Sequence, residues 1–195
     1  TLRDRRTVVF SPVCLDERAM KDIEALGMPT FMVVPNGFHR LDARPWKTRY
    51  PDIAVVCPPG ARKRVEEAVA VDATTDVLRD QAAAFVVVPG MGEAEAALLV
   101  RRRTGTTLIL NDVISNVRHP KGLGANIMAR LFGLGVKRPQ MAREVRYLFV
   151  KDKPALAAQL RRWSEMPDLK RIIPSHGEII GEPQSTLERI AESLI

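Results

Sequence analysis

Three histidines occur in this chain, His39, His119 and His176, and two of them follow short apolar runs. Phe31-Met32-Val33-Val34 leads into Pro35-Asn36-Gly37-Phe38-His39, and Arg171-Ile172-Ile173 leads into Pro174-Ser175-His176-Gly177. A third run, Thr106 to Leu110, stops at Asn111-Asp112, residues that favour turns and carry polar atoms. A carboxylate at the end of a buried strand must be solvated, paired or metal-bound, because an isolated buried charge is costly. His39, Asp112 and His176 together suffice to hold one Zn²⁺, Fe²⁺ or Mn²⁺ with positions left open for water or substrate. Such an ion lowers the pKa of its water toward neutrality and supplies a hydrolytic nucleophile. Without a metal the same three would be an acid/base pair, or loop anchors held by hydrogen bonds. His119 lies in Asn116-Val117-Arg118-His119-Pro120, a few residues past Asp112.

Other templates are missing. There is no Gly-x-x-x-x-Gly-Lys loop to cradle phosphate and no Gly-x-Gly-x-x-Gly after the first strand. Neither Ser11 nor Ser175 sits in Gly-x-Ser-x-Gly. Cys14 and Cys57 lack metal-type spacing and read as reduced thiols, which with the lack of a signal-peptide pattern predicts a cytoplasmic protein.

The elements that must position these residues alternate at first. Thr7 to Val13 reads as a strand and Asp16 to Leu26 as a helix closed by Gly27. Strand Thr30 to Val34, helix Asp42 to Tyr50, strand Ile53 to Cys57 and helix Ala61 to Ala68 follow. Then comes a strand series: Val69 to Asp72, Phe85 to Val88, Ala96 to Val100 and Thr106 to Leu110, with a hairpin at Gly105. Gly122 to Gly135 reads as a core helix, with a mobile lid or a partner contact as the alternative. Pro139 opens a helix whose inner face is Met141, Val145, Leu148 and Phe149. Pro154 opens another with Leu156, Leu160 and Trp163 inward. Strand Lys170 to Ile173 and a last helix from Pro183, with Leu187, Ile190 and Leu194 inward, complete one domain. Paired βα units followed by a strand series predict an α/β layer fold with mixed sheets. In such folds residues far apart in sequence converge at one rim of a sheet.

The chain has 195 residues, of which 46% are hydrophobic, enough for a sizeable core, and no apolar run is long enough to span a membrane. No membrane partner is therefore expected. Its net charge is +7, with basic clusters at Arg3-Arg5-Arg6, Arg62-Lys63-Arg64, Arg101-Arg102-Arg103 and Arg161-Arg162. That charge attracts polyanions. However, aromatic residues make up only 5% and none interleave with the arginines as a stacking platform would require. A solvated basic surface is the expectation, with nucleic-acid binding as the minor alternative.

"YPDIAVVCPPG", "VVVPGMGEAEAALLV", "GTTLILNDVISN" and "IIPSHGEIIG", in that order after a strand that ends in a His-bearing loop, resemble the metallo-β-lactamase fold superfamily. The likeness spans nearly the whole chain. It is nearest to a bacterial branch of unassigned function with a proline-asparagine-x-x-histidine-type loop in place of the usual motif. The resemblance implies a four-layer αββα sandwich with mixed sheets and a site at the sheet rim. Asp112 then resembles the bridging aspartate and His176 the final histidine. The family's first motif, His-x-His-x-Asp-His, is incomplete in Val34-Pro35-Asn36-Gly37-Phe38-His39. In one register His39 matches its last histidine, Asn36 its second, and Phe38 its aspartate; in a register shifted by two no ligand survives. The histidine that usually follows Pro-Gly is replaced by Met91, a thioether poorly suited to borderline divalent ions. The first of the two usual metal positions is thus lost, and the second would persist through His39, Asp112 and His176. The expectation is a single-metal hydrolase of a small-molecule substrate, with Asn36 orienting substrate or water beside Asp112. The alternatives are a metal-free binding module, or a basic nucleic-acid-binding protein.

Overall fold

The computed structural model describes residues 1–2 and 4–195; Arg3, part of the first basic cluster, lies outside them. The chain forms two compact units, Thr1–Val87 with Glu93–Leu98, and Val88–Gly92 with Leu99–Ile195.

The first unit is built by alternation. Strands β1 (Thr7–Phe10), β2 (Pro29–Val33) and β3 (Ala54–Val56) form a parallel sheet in the order β1-β2-β3. Helices α1 (Glu17–Leu26) and α2 (Ala43–Arg49) make the crossovers that parallel pairing requires. The Asp16 side chain accepts from Ala19 N and caps α1, and Gly27 ends it. Met20, Met32, Trp46, Ile53, Val55 and Val65 form the core, the last contributed by the short helix α3 (Arg62–Val65). The strand expected over Val69 to Asp72 does not form. The bridge in this region is made one residue later, Val56 to Ala73, while Asp72 bonds Val55 twice: its N donates to Val55 O at 2.9 Å and its carboxylate accepts from Val55 N at 2.7 Å. A side chain has taken the place of a ladder bond.

The second sheet has the order β4-β5-β6-β7, from Ala83–Val87, Ala96–Arg102, Gly105–Asn116 and Leu169–Gly177. β5 turns into β6 through the two residues Arg103 and Thr104, as the expected hairpin does, whereas β6 and β7 are parallel; the sheet is mixed. Helices α5 (Lys153–Ser164) and α6 (Pro183–Leu194) pack in the second unit through Leu156, Leu160, Trp163, Leu187 and Ile190.

Two helical expectations fail in this unit. The helix foreseen from Pro139 is a single turn of π-helix, Val145–Phe149, and Leu148 is exposed. Gln140 instead exchanges both backbone bonds with Ser115, at 2.9 and 3.1 Å, which keeps the chain extended past the proline. Gly122 to Gly135 does contain a helix, α4 (Leu123–Phe132), but only Ala129 on it is buried. It is not a core helix. No helix among the described residues is long and apolar enough to cross a membrane.

Candidate metal centre

His39 lies beyond the C-terminal end of β2, in the first unit. The loop that carries it is shaped by Asn36, which is buried. Asn36 Oδ1 accepts from Phe38 N at 2.9 Å and His39 N at 3.1 Å, an Asx turn that folds the chain back on itself. Asn36 Nδ2 donates to Glu95 Oε2 at 2.8 Å, and Glu95 is itself only 3% exposed. A buried amide thus holds both ends of the turn to a buried carboxylate. The imidazole is oriented separately: His39 Nδ1 lies 3.0 Å from Ser11 Oγ, just past β1. Ser11 has a φ of 54°, a left-handed conformation that non-glycine residues rarely adopt and that costs about 1–3 kcal/mol where it persists. Phe38, beside His39, is half exposed and lies under the Arg64 guanidinium, 4.5 Å from ring centroid to Cζ.

Asp112 and His176 belong to the second unit, and there the structure corrects the strand ends read from the sequence. Neither strand stops where the polar residues begin: β6 continues through Asp112 to Asn116, and β7 through Pro174 to Gly177. What Asn111-Asp112 marks is a break in register. From Leu110 to Ser115 β6 advances five residues, while from Pro174 to His176 β7 advances two. Pro174 lacks an N–H, so the ladder loses a donor on the β7 side of the break. Asp112 lies within the extra length of β6, and His176 pairs with Ser115 where the register resumes. Their side chains meet there, His176 Nε2 lying 3.0 Å from Asp112 Oδ1. Asp112 is the more sheltered of the two, at 22% side-chain exposure against 47% for His176. The hydrogen bond to Asp112 raises the pKa of His176 above its ordinary value, against an opposing push from burial.

The pair is supported by a close backbone approach. Gly177 has a φ of 108°, and a Cβ there would run into the carbonyl of Asn116. Asn116 Nδ2 donates to Glu178 O at 2.9 Å, tying the end of β6 to the chain leaving β7. The sequence pattern marks Ser11 only as a serine outside a nucleophile template, and gives Glu95 and Asn116 no role. The signal for Ser11 was its place after an apolar strand; nothing local marks Glu95 as the acceptor for an amide 59 positions away. His119, the third histidine, is strongly exposed, and its Nδ1 lies 2.6 Å from Glu178 Oε1.

No protein-family model matches the sequence, and no curated protein matches it. Solved structures do. A metallo-β-lactamase from Erythrobacter litoralis superposes with a TM-score of 0.61 over 98% of this chain and 82% of its own, at 14% identity. The FIM-1 metallo-β-lactamase of Pseudomonas aeruginosa, in its mono-zinc form, gives 0.59 over 98% and 80%, at 12% identity. A metal-soaked flavodiiron core from Synechocystis gives 0.63 over 97% of this chain and 50% of the other, at 12% identity. The chain has the metallo-β-lactamase fold. Within that fold the two histidines and the aspartate read from the sequence are placed as described, Asp112 with His176 and His39 with Ser11. Met91, which the resemblance sets at a usual histidine position, is buried with a thioether as its only heteroatom group. Phe38, set at the usual aspartate, offers no ligand atom at all.

Proposed function

We propose that this protein is a single-metal hydrolase of a small molecule, with His39, Asp112 and His176 as the ligands. Each of the three offers a ligand atom of the type a borderline divalent ion takes, and as a group they could hold one. The observation that carries the reading is the Asp112–His176 contact at a register break that no sheet requirement explains. The donor set of two imidazoles and a carboxylate favours zinc, iron or manganese over magnesium or calcium. When bound, the ion lowers the pKa of a water toward neutrality and makes it a nucleophile at physiological pH.

The chain's own residues have distinct tasks in this scheme. Ser11 fixes the His39 ring through Nδ1, so that Nε2 is the nitrogen that ligates. Asn36 and Glu95 hold the His39 loop and act as positioning residues. Asp112 brings the negative charge and keeps His176 beside it. Because Asp112 holds the pKa of His176 up, loading the ion displaces a proton wherever the pH lies below that raised value, and affinity rises with pH across it.

The test is elemental analysis of untagged protein grown with zinc, iron and manganese and purified without chelator. About one equivalent of a transition metal is expected. It should be absent in His39→Ala, Asp112→Ala and His176→Ala, with ester, amide and lactone hydrolysis lost in the same variants. A second reading, a metal-free binding module on the same fold, draws on Phe38 and Met91 at positions that would otherwise ligate. It is favoured if no metal exceeds background after soaking and the three alanine variants leave the melting temperature in zinc unchanged.

A further inference from the structure

Helix α4 inverts the usual rule for a surface helix. Ordinarily the apolar stripe faces the core and the polar face meets water. On α4 the buried position is Ala129, while Leu123, Ile127 and Leu131, spaced by four and so on one face, are 80%, 56% and 58% exposed. Met128 flanks that stripe at 49% exposure. The helix also begins in open space, for a Cβ added at Gly122 or Gly124 would meet nothing within 4 Å. Such a patch on a chain with a well-formed core marks a surface meant to be covered.

What covers it is indicated by charge. From Val113 to Arg143 the sequence contains Arg118, Lys121, Arg130, Lys137, Arg138 and Arg143, and no aspartate or glutamate. All six are exposed. Two are tied to the helix itself: Arg130 Nε donates to Asn126 Oδ1 at 2.7 Å, and Arg143 Nη1 to Leu131 O at 3.1 Å. Asp112 and Glu144 bound that stretch, and the exposed Glu178 carboxylate is bonded to His119. An apolar stripe rimmed by cations complements an anionic surface with an apolar interior.

We propose that α4 is an interfacial anchor that lies in the plane of an anionic lipid surface, with Leu123, Ile127 and Leu131 in the acyl boundary and the surrounding cations at the phosphates. A helix of ten residues, about 15 Å long, is too short to span a bilayer but suits this posture. A second copy of the chain fits less well, since a symmetric contact would bring like-charged rims together. RNA also fits less well, because an aliphatic stripe stacks no bases. The reading departs from the expectation of no membrane partner, which counted only spanning segments.

The experiment is vesicle co-sedimentation at about 0.15 M salt, where long-range attraction between exposed charges is largely screened. Phosphatidylcholine vesicles are compared with vesicles containing about one-third phosphatidylglycerol. The protein should sediment with the anionic vesicles only. The charge-neutral pair Ile127→Ser/Leu131→Ser should weaken that binding by at least about tenfold, because two apolar side chains no longer leave water. Arg101→Gln/Arg103→Gln, which removes one charge from the end of β5 and one from the turn into β6, should keep it within about twofold, as neither residue belongs to α4 or to the cationic stretch around it. The substituted side chains are exposed, so unchanged circular dichroism and melting temperature show that the fold is intact. Absence of sedimentation with anionic vesicles overturns the proposal. So does binding that the serine pair leaves unchanged, which is general attraction to a chain of net charge +7. A concentration-dependent dimer by light scattering that the serine pair abolishes assigns the stripe to a second copy and equally overturns it, as does a preference for single-stranded RNA lost in the same pair.

Discussion

The two halves of the candidate metal centre are built by opposite means. The His39 loop owes its shape to side chains: Asn36 folds it, Ser11 aims the ring, and Glu95 anchors the fold. The Asp112–His176 half owes its shape to backbone: a ladder that slips, a proline without a donor, and a glycine pressed against a carbonyl. Side-chain frames fail by degrees as single contacts are removed. Backbone frames fail abruptly, because no neighbouring rotamer can relieve the clash.

The sharpest way to break that contrast is Gly177→Ala. It places a methyl group against the Asn116 carbonyl and forces a side chain into a left-handed φ. A loss of about 2–4 kcal/mol is expected, or roughly 10 °C in melting temperature by calorimetry, together with loss of metal. Were Gly177→Ala to melt like the parent, the backbone account of this half would be wrong.

Asn36→Ala should cost about 1–3 kcal/mol in chemical denaturation, because a buried carboxylate loses a donor and two backbone N–H groups lose their acceptor. Pairing it with Glu95→Leu should recover part of the loss, since the buried acceptor is removed along with the Asn36 donor that it would otherwise miss. A double variant no more stable than Asn36→Ala would remove Glu95 from the frame. Ser11→Ala is milder, at about 0.5–1.5 kcal/mol, but should weaken metal affinity about tenfold, measured by competition with a chelating dye. Ser11→Gly should relieve the φ strain and still show the weaker affinity, separating orientation of the ring from stability of the loop.

The smallest effect concerns pH. Because Asp112 raises the pKa of His176, the metal-free protein gains stability from the pair below the unfolded value near 6.5. That gain is lost as pH rises through the raised folded pKa. Metal binding has the opposite sign: it needs neutral histidine, so it strengthens as pH rises and fails near pH 5. A melting-temperature profile from about pH 5 to 8 should therefore slope one way with chelator and the other with zinc. Parallel slopes would separate His176 from the ligand set.

The same contrast explains what the sequence revealed. Alternating apolar runs, the Asp16 cap and the Gly27 stop placed the βα units, and the scarcity of histidine drew attention to His39 and His176. The Asn-Asp and Pro-Ser steps were visible as interruptions, yet read as ends, because a register slip is a property of two strands and a single run cannot show it. Val69 to Asp72 was β-branched enough to look like a strand, and lost the ladder to an aspartate that bonds Val55. The α4 segment had an apolar count that suits a core. Which way its stripe faces is decided by packing against distant residues, so its exposure could not be read locally.

Glu95 has a further consequence for how the protein is made. The first unit is not one stretch of chain: it is left after Val87 and completed only by Glu93–Leu98. During synthesis from the N-terminus, β1, β2 and β3 can pair while the acceptor for the Asn36 amide is still inside the ribosome. The nascent chain would therefore display His39 on an unanchored turn for the time needed to add the residues from 40 to 95. A chain released after β3 but before Glu95 would hold all three strands of the parallel sheet and an unfinished loop, and this is the form that a quality-control protease would meet.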